Sequence, residues 1–330
     1  MHRRLLLSLV AFALIRGSAA AKPAQGVVQN FGPNLKAICP NPEGIAIDPR
    51  GNLYAAAFSF SQTANICVLS PDQRIIDVIP VGPGPAGITA LLGELYEPGQ
   101  GLYVVDFANG IAGNGRLLKV DPATHAVATL ATGFAAANAI AQDRHRNLFV
   151  SDSFLGTITK VAPDGSSATL WAKDVRLTTK GTPPFGANGL AFDRNQRLLY
   201  VANTGDSTVL RYPVLPDGSA GTLEVFARGA DLDVAQDTKQ SLHGADGIQF
   251  DVHGNLYVCA NQANEIQVLS PDAEIIARYA GVGPTALDFP ASLVFRGRTL
   301  YLTNLSLSDG GVNSKLSVLR VPFPGLPLRP

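Results

Sequence analysis

The sequence predicts an all-β fold, a six-bladed β-propeller of four-stranded antiparallel blades. Three observations predict it. A strand-turn-strand phrase recurs six times along the 330 residues; further short alternating strands and Pro-Asp turns follow most copies; and no amphipathic helical stretch of respectable length intervenes. A period of this length with four short strands per unit marks a propeller blade.

Residues 1–21 stand apart from the repeats. Arg3 and Arg4 precede the apolar run Leu5 to Ile15, and Ala19, Ala20 and Ala21 follow it. That order is the order of a secretory signal peptide, although Arg16 sits unusually close to the end of the run. The run is too short to span a bilayer as a helix. Residues 1–21 are therefore expected to be a cleaved signal peptide and 22–330 a single propeller domain. The mature chain is then secreted or periplasmic.

The full chain carries 26 basic and 26 acidic residues. Losing Arg3, Arg4 and Arg16 leaves 23 basic against 26 acidic, and no basic patch survives, which argues against a nucleic-acid partner. Three cysteines are too few for a disulfide framework in a chain this long. Cys259, within YVCA, reads as a small buried strand residue, and a Cys39–Cys67 bridge is open.

Four copies of the repeat are strong. Residues 43–55 read EGIAIDPRGNLYA, 138–150 NAIAQDRHRNLFV, 188–201 NGLAFDRNQRLLYV and 246–258 DGIQFDVHGNLYV. Two weaker copies are read from Ala86 (AGITALLGELYEPGQGLYVV, with an insertion) and from Ala291 (ASLVFRGRTLYL). Each gives a short apolar strand, a polar turn and a second strand of the LYV type. Third strands follow in NICVLSPD, GRLLKVDP, GTITKVAPDG, STVLRYPVLPDG and NEIQVLSPD, and fourth strands such as RIIDVIP and EIIARYA come after the Pro-Asp turns. The stretch GVVQNF, Gly26 to Phe31, has no unit of its own, and the last unit lacks a clear fourth strand after SVLRVP. Pairing the two closes the ring and hides two strand edges.

The innermost strands line the central channel, so the residues that open them form a ring. In order these are Glu43, Ala86, Asn138, Asn188, Asp246 and Ala291. Turn-capping would account for Asn and Asp but not for Glu43. A metal site accounts for all four oxygen donors. Two carboxylates balance a divalent cation, and an all-oxygen set suits a hard ion, Ca²⁺ first, with Mg²⁺, Mn²⁺ and Zn²⁺ as alternatives. Gly247 reads as a flexible link that lets Asp246 face the axis.

These motifs make the chain resemble the senescence marker protein/gluconolactonase family, which includes regucalcin and bacterial sugar lactonases. The resemblance rests on Glu43 in PEGIAID, Asn138 in ANAIAQD, Asn188 in ANGLAFD and Asp246 in ADGIQFD, and covers nearly the whole mature chain. It implies a six-bladed propeller with one divalent cation held by these four residues. The activity it implies is hydrolysis of a small-molecule lactone or ester by metal-activated water, with Asp246 as general base. Two departures stand out. Sugar-lactone members commonly place an Arg where this chain has Ala136, and an Asp where it has Ala139. The segments GPGPAG, DFANGIAG and GTPPFGAN, candidates for the mouth, are rich in Gly, Pro, Ala and Phe, which points to a substrate less polar than gluconolactone.

Other residues have plainer readings. His243 could face the same cavity, but a turn position suits it better; His125, His145 and His253 read as exposed. Asp106, Asp152, Asn203 and Asn304 end second strands, and Asp48, Asp193 and Asp251 end first strands, as turn residues. No G-x-S-x-G elbow, H-E-x-x-H motif or P-loop is present. Two alternatives remain: a non-catalytic NHL-type propeller with a structural cation, and a paraoxonase-like arylesterase or related propeller enzyme.

Overall fold

The computed structural model describes residues 25–327, and the expected signal segment 1–21 lies outside them. Strand β1 (Gln29–Phe31) comes first. Blade one follows as β2 (Pro42–Ile47), β3 (Leu53–Ala57), β4 (Ala64–Leu69) and β5 (Ile75–Val81). Blade two is β6 (Leu91–Glu97), β7 (Gly101–Asp106), β8 (Gly115–Val120) and β9 (Val127–Phe134). Blade three is β10 (Ala137–Gln142), β11 (Leu148–Asp152), β12 (Thr157–Val161) and β13 (Ala168–Lys173).

Blade four is β14 (Ala187–Phe192), β15 (Leu198–Asn203), β16 (Thr208–Pro213) and β17 (Glu224–Arg228). A short helix, α1 (Gly229–Gln236), leads to blade five, which is β18 (Ala245–Phe250), β19 (Leu256–Ala260), β20 (Glu265–Leu269) and β21 (Ile275–Tyr279). Blade six has β22 (Pro290–Arg296), β23 (Thr299–Asn304) and β24 (Lys315–Arg320). Its fourth strand is β1, antiparallel to β24 with Asn30 opposite Ser317. The ring is thus closed by the N-terminal strand, as GVVQNF implied. Among the described residues α1 is the one α-helix, and it lies in the long step between blades four and five.

Apolar residues of neighbouring blades interlock. Tyr54 and Ile66 of blade one pack with Val104 and Leu118 of blade two, all nearly or fully buried. Alternation along each strand places these residues on sheet faces that meet the next blade.

Every innermost strand carries the same irregularity. The register with its partner shifts between Pro42 and Ile45, Leu91 and Glu94, Ala137 and Ile140, Ala187 and Leu190, Ala245 and Ile248, and Pro290 and Leu293. The skipped pairs, Glu43-Gly44 and Asp246-Gly247 among them, are β-bulges, which re-aim a side chain and interrupt the ladder. An Asp at a strand start is therefore at home here. The alignment also corrects the second unit. Its bulge pair is Leu92-Gly93, and Ala86 lies instead in a 3₁₀ turn, Pro85–Gly87, before the strand.

Gly247 has a different reason from the expected one. A Cβ there would lie 2.5 Å from the Ala291 carbonyl oxygen, and one on Gly44 would lie 2.1 Å from that of Leu92. The bulge glycines let neighbouring inner strands approach closely; they are not flexible links.

The turn residues behave as expected. Asp48, Asp193 and Asp251 each accept backbone N–H bonds from the turn that follows. Asp152 accepts from the backbone of Ala135, Ala136, Phe154 and Leu155, and the side-chain amide of Asn203 donates to two backbone carbonyls. Asp106 also meets Arg116 at 2.6 Å. Cys39 and Cys67 are bridged, tying the segment before β2 to β4, and Cys259 is free and fully buried in β19. Among the described residues no helix is long and apolar enough to cross a membrane.

Candidate metal centre

The four bulge residues Glu43, Asn138, Asn188 and Asp246 come from blades one, three, four and five and line one cavity of about 300 Å³. Each is at most 5% exposed. In the other two blades the same slot holds Leu92 and Ala291, which flank Glu43 in the ring, so Glu43 faces the run Asn138, Asn188 and Asp246 across the axis.

Three of the four are oriented by a residue directly after the second strand of their own blade. Asn138 Nδ2 donates to Ser153 Oγ (3.1 Å), Asn188 Nδ2 to Thr204 Oγ1 (2.9 Å), and Asn261 Nδ2 to Asp246 Oδ2 (2.8 Å). The two hydroxyls pass the constraint on. Ser153 donates to the carbonyl of Ala187 (2.7 Å) and Thr204 to that of Ala245 (2.8 Å), the residues preceding the next two members of the ring. Glu43 has Phe58 at the corresponding place, and its backbone carbonyl accepts from Thr303 Oγ1. Sequence reasoning missed Ser153, Thr204 and Asn261. The available signal was their position, one residue after Asp152, Asn203 and Ala260 at the end of the LYV strand.

These bonds occupy the amide nitrogens and one Asp oxygen. Glu43 Oε2, Asn138 Oδ1 and Asp246 Oδ1 remain buried with no hydrogen-bond partner. A buried polar atom without a partner is costly, and oxygens of this kind on residues that line one cavity fit a shared cation. Burial pushes the Glu43 carboxyl well above the usual range, and the charges of Asp246 and Glu94 push it further. Burial also raises Asp246 to about 7, against the hydrogen bond from Asn261 that favours its charged form. A divalent charge would reverse both shifts.

Glu94 is a third acid of the channel that sequence reasoning did not identify. It stands immediately after the blade-two bulge, where the other blades have Ile45, Ile140, Leu190, Ile248 and Leu293. Both of its carboxylate oxygens are buried without a partner, and burial raises its pKa. It lines the opposite end of the channel, with Gln249. His243 lies just before β18, is half-buried, and does not line the cavity of the ring. His145 and His253 are exposed; His125 is half-buried and meets Asp77 Oδ2 at 2.8 Å.

Of the three segments expected at the mouth, GTPPFGAN lines the cavity through Thr182, Pro183 and Phe185. DFANGIAG supplies Phe107 behind the wall, 5.9 Å from Phe58 and 6.0 Å from Phe185 between ring centroids. GPGPAG takes no part in the lining.

A family model described as SMP-30/Gluconolactonase/LRE-like region matches residues 183–306. Residues 183–306 are thus similar to that region. They contain Asn188 and Asp246 with their partners Thr204 and Asn261. Over 152 residues the chain is 30% identical to the 6-deoxy-6-sulfogluconolactonase of Pseudomonas putida, a match covering 42% of this chain and 47% of that protein. The chain thus spans about half the length of this relative. Its fold is similar to that of a gluconolactonase from Xanthomonas campestris (TM-score 0.64, 16% identity, 93% of this chain and 99% of that one). It is also similar to a luciferin-regenerating enzyme (TM-score 0.65, 16% identity, 91% and 97%). A calcium-binding regucalcin from Agrobacterium tumefaciens gives a TM-score of 0.61 at 15% identity, over 90% and 95%.

Proposed function

We propose that this protein is an exported hydrolase of a lactone or related carboxylic ester that depends on one divalent cation, calcium first. The observation that carries the proposal is that Glu43, Asn138 and Asp246, which line one cavity, each keep a buried oxygen without a hydrogen-bond partner. The matched region and the P. putida relative, whose name specifies a gluconolactone substrate, support a lactone as the substrate class.

Glu43, Asn138, Asn188 and Asp246 would hold the cation, and their two carboxylates would balance its charge. Bound there, a divalent cation supplies Lewis-acid polarisation of the substrate carbonyl and makes water more acidic. Asp246 has one oxygen fixed by Asn261 and the other free to face the cavity, so it takes the proton from water as the water oxygen bonds to the carbonyl carbon. The ring C–O bond then breaks, the proton goes to the departing alkoxide, and a hydroxy acid is released. Ser153, Thr204 and Asn261 keep the amide and carboxylate groups from rotating.

Export rests on two features. Residues 1–21 have the signal-peptide order, and the Cys39–Cys67 bridge belongs to an oxidising compartment. Metal analysis of the purified protein, with a screen of lactones and aryl esters before and after chelation, tests the reading. Turnover lost on chelation and restored by calcium is the expected result. Bound metal with no turnover across the screen would leave a binding propeller instead.

A further inference from the structure

Above the ring of oxygens, the cavity is walled by hydrocarbon. Phe58, Phe185 and Phe289 line it with Leu92 and Leu305, and Thr182 and Gln262 are the polar side chains at its mouth. Among the described residues no Lys or Arg lines it. We propose that the substrate is a neutral lactone or ester bearing an alkyl or aryl substituent, and that Phe58, Phe185 and Phe289 hold that substituent. The inference rests on the hydrolase reading of the same site.

The wall is built rather than incidental. Phe58 and Phe185 both pack against Phe107, which is 4% exposed, and Phe154 closes the group at 5.7 Å from Phe107 and 5.4 Å from Phe185. Edge and tilted ring contacts of this kind fix the orientation of each ring. The Phe185 carbonyl is anchored by the N–H of Gly205 at 2.8 Å. Phe289 is held with φ at 50°, a conformation that bulky side chains avoid. Its N–H donates to Asn264 Oδ1 (2.8 Å) and its carbonyl accepts from Leu305 N–H (3.0 Å), so the strained backbone is secured from both sides.

A polyhydroxylated ring would be poorly served here. Its hydroxyls would leave water for a surface that offers few partners, and unpaired polar groups weaken binding. An anionic substituent, like the one in the name of the P. putida relative, would meet no cation outside the metal centre. Ala136, in place of the Arg of the sugar-lactone pattern, is fully buried and offers neither charge nor hydrogen bond through its side chain.

The test compares glucono-δ-lactone, unsubstituted δ-valerolactone and δ-lactones with alkyl chains of increasing length, using the calcium-loaded protein. Thermal shift with the corresponding alkyl lactams, which resist hydrolysis, reads binding without turnover. The expected result is kcat/KM rising about fourfold per added methylene until the cavity is filled, with a parallel rise in lactam stabilisation. Phe185→Ala should flatten that dependence, and Phe185→Leu should keep part of it. Faster turnover of glucono-δ-lactone, with no effect of chain length on rate or on lactam stabilisation, overturns the inference and leaves lactone hydrolysis standing. Lactam stabilisation that grows with chain length while no lactone or ester is cleaved supports the apolar subsite and overturns the hydrolase reading.

Discussion

Thr204 holds Asn188 in place: its hydroxyl oxygen accepts from Asn188 Nδ2 at 2.9 Å while its proton goes to the Ala245 carbonyl at 2.8 Å. An amide held by its nitrogen presents its oxygen in a fixed direction. The same logic joins Asn138 to Ser153, so two neutral side chains of the proposed metal centre are oriented without a cation.

Thr204→Val keeps the shape of the side chain and deletes both bonds. Calcium affinity, read by calorimetric titration, should fall by roughly tenfold or more, and Thr204→Ser should recover most of it. Equal affinity in the valine variant and the wild type would remove Thr204 from the positioning role.

The charge state of the ring gives a pH signature. With no cation, burial raises Asp246 to about 7, so between the unfolded carboxylate value near 3.9 and pH 7 the native state holds the extra proton. This contribution to stability is complete below the unfolded value and is lost as pH rises through about 7. At the proposed centre calcium would need the ionised pair and would restore the loss. The calcium-induced increase in Tm should therefore be small at pH 5 and grow toward pH 8; an increase that is constant or larger at pH 5 would contradict it.

Glu94 follows the same sign. Its buried oxygens have no partner and its pKa is raised by burial, so ionisation opposes folding. Glu94→Gln removes that linkage. In denaturant titrations of chelated protein, the variant should gain on the wild type as pH rises from 5 to 8. No pH-dependent difference would mean that Glu94 finds a partner in solution.

The Cys39–Cys67 bridge spans 28 residues. The chain-entropy relation gives about 3.6 kcal/mol for a loop of that size. Cys39→Ser should lose about that much stability by denaturant unfolding under oxidising conditions, and added reductant should bring the wild type down to the variant.

The blades and the ring were legible because their signals repeat: the LYV strands, the turn aspartates and the polar residue that opens four of the six inner strands. Blade two was misregistered for a physical reason. Its bulge slot is occupied by Leu92, which carries no polar mark, while Ala86-Gly87-Ile88 mimics the phrase in a turn upstream. Glu94 went unseen with it. Gly247 drew attention to flexibility, when the crowding at the Ala291 carbonyl is a contact between blades that only three dimensions reveal. Ser153, Thr204 and Asn261 sat beside residues correctly assigned to turns, but their partners lie 15 or 16 positions away. Of the mouth, the Phe185 segment was legible from composition, whereas Phe58 and Phe289 come from distant blades.

Asp246→Asn tests the account most directly, because the amide can still ligate a cation but cannot accept a proton. With calcium occupancy of the variant measured in the same sample, hydrolysis of a responsive lactone should fall by about 100-fold or more. Undiminished hydrolysis by the variant with calcium bound would contradict the account.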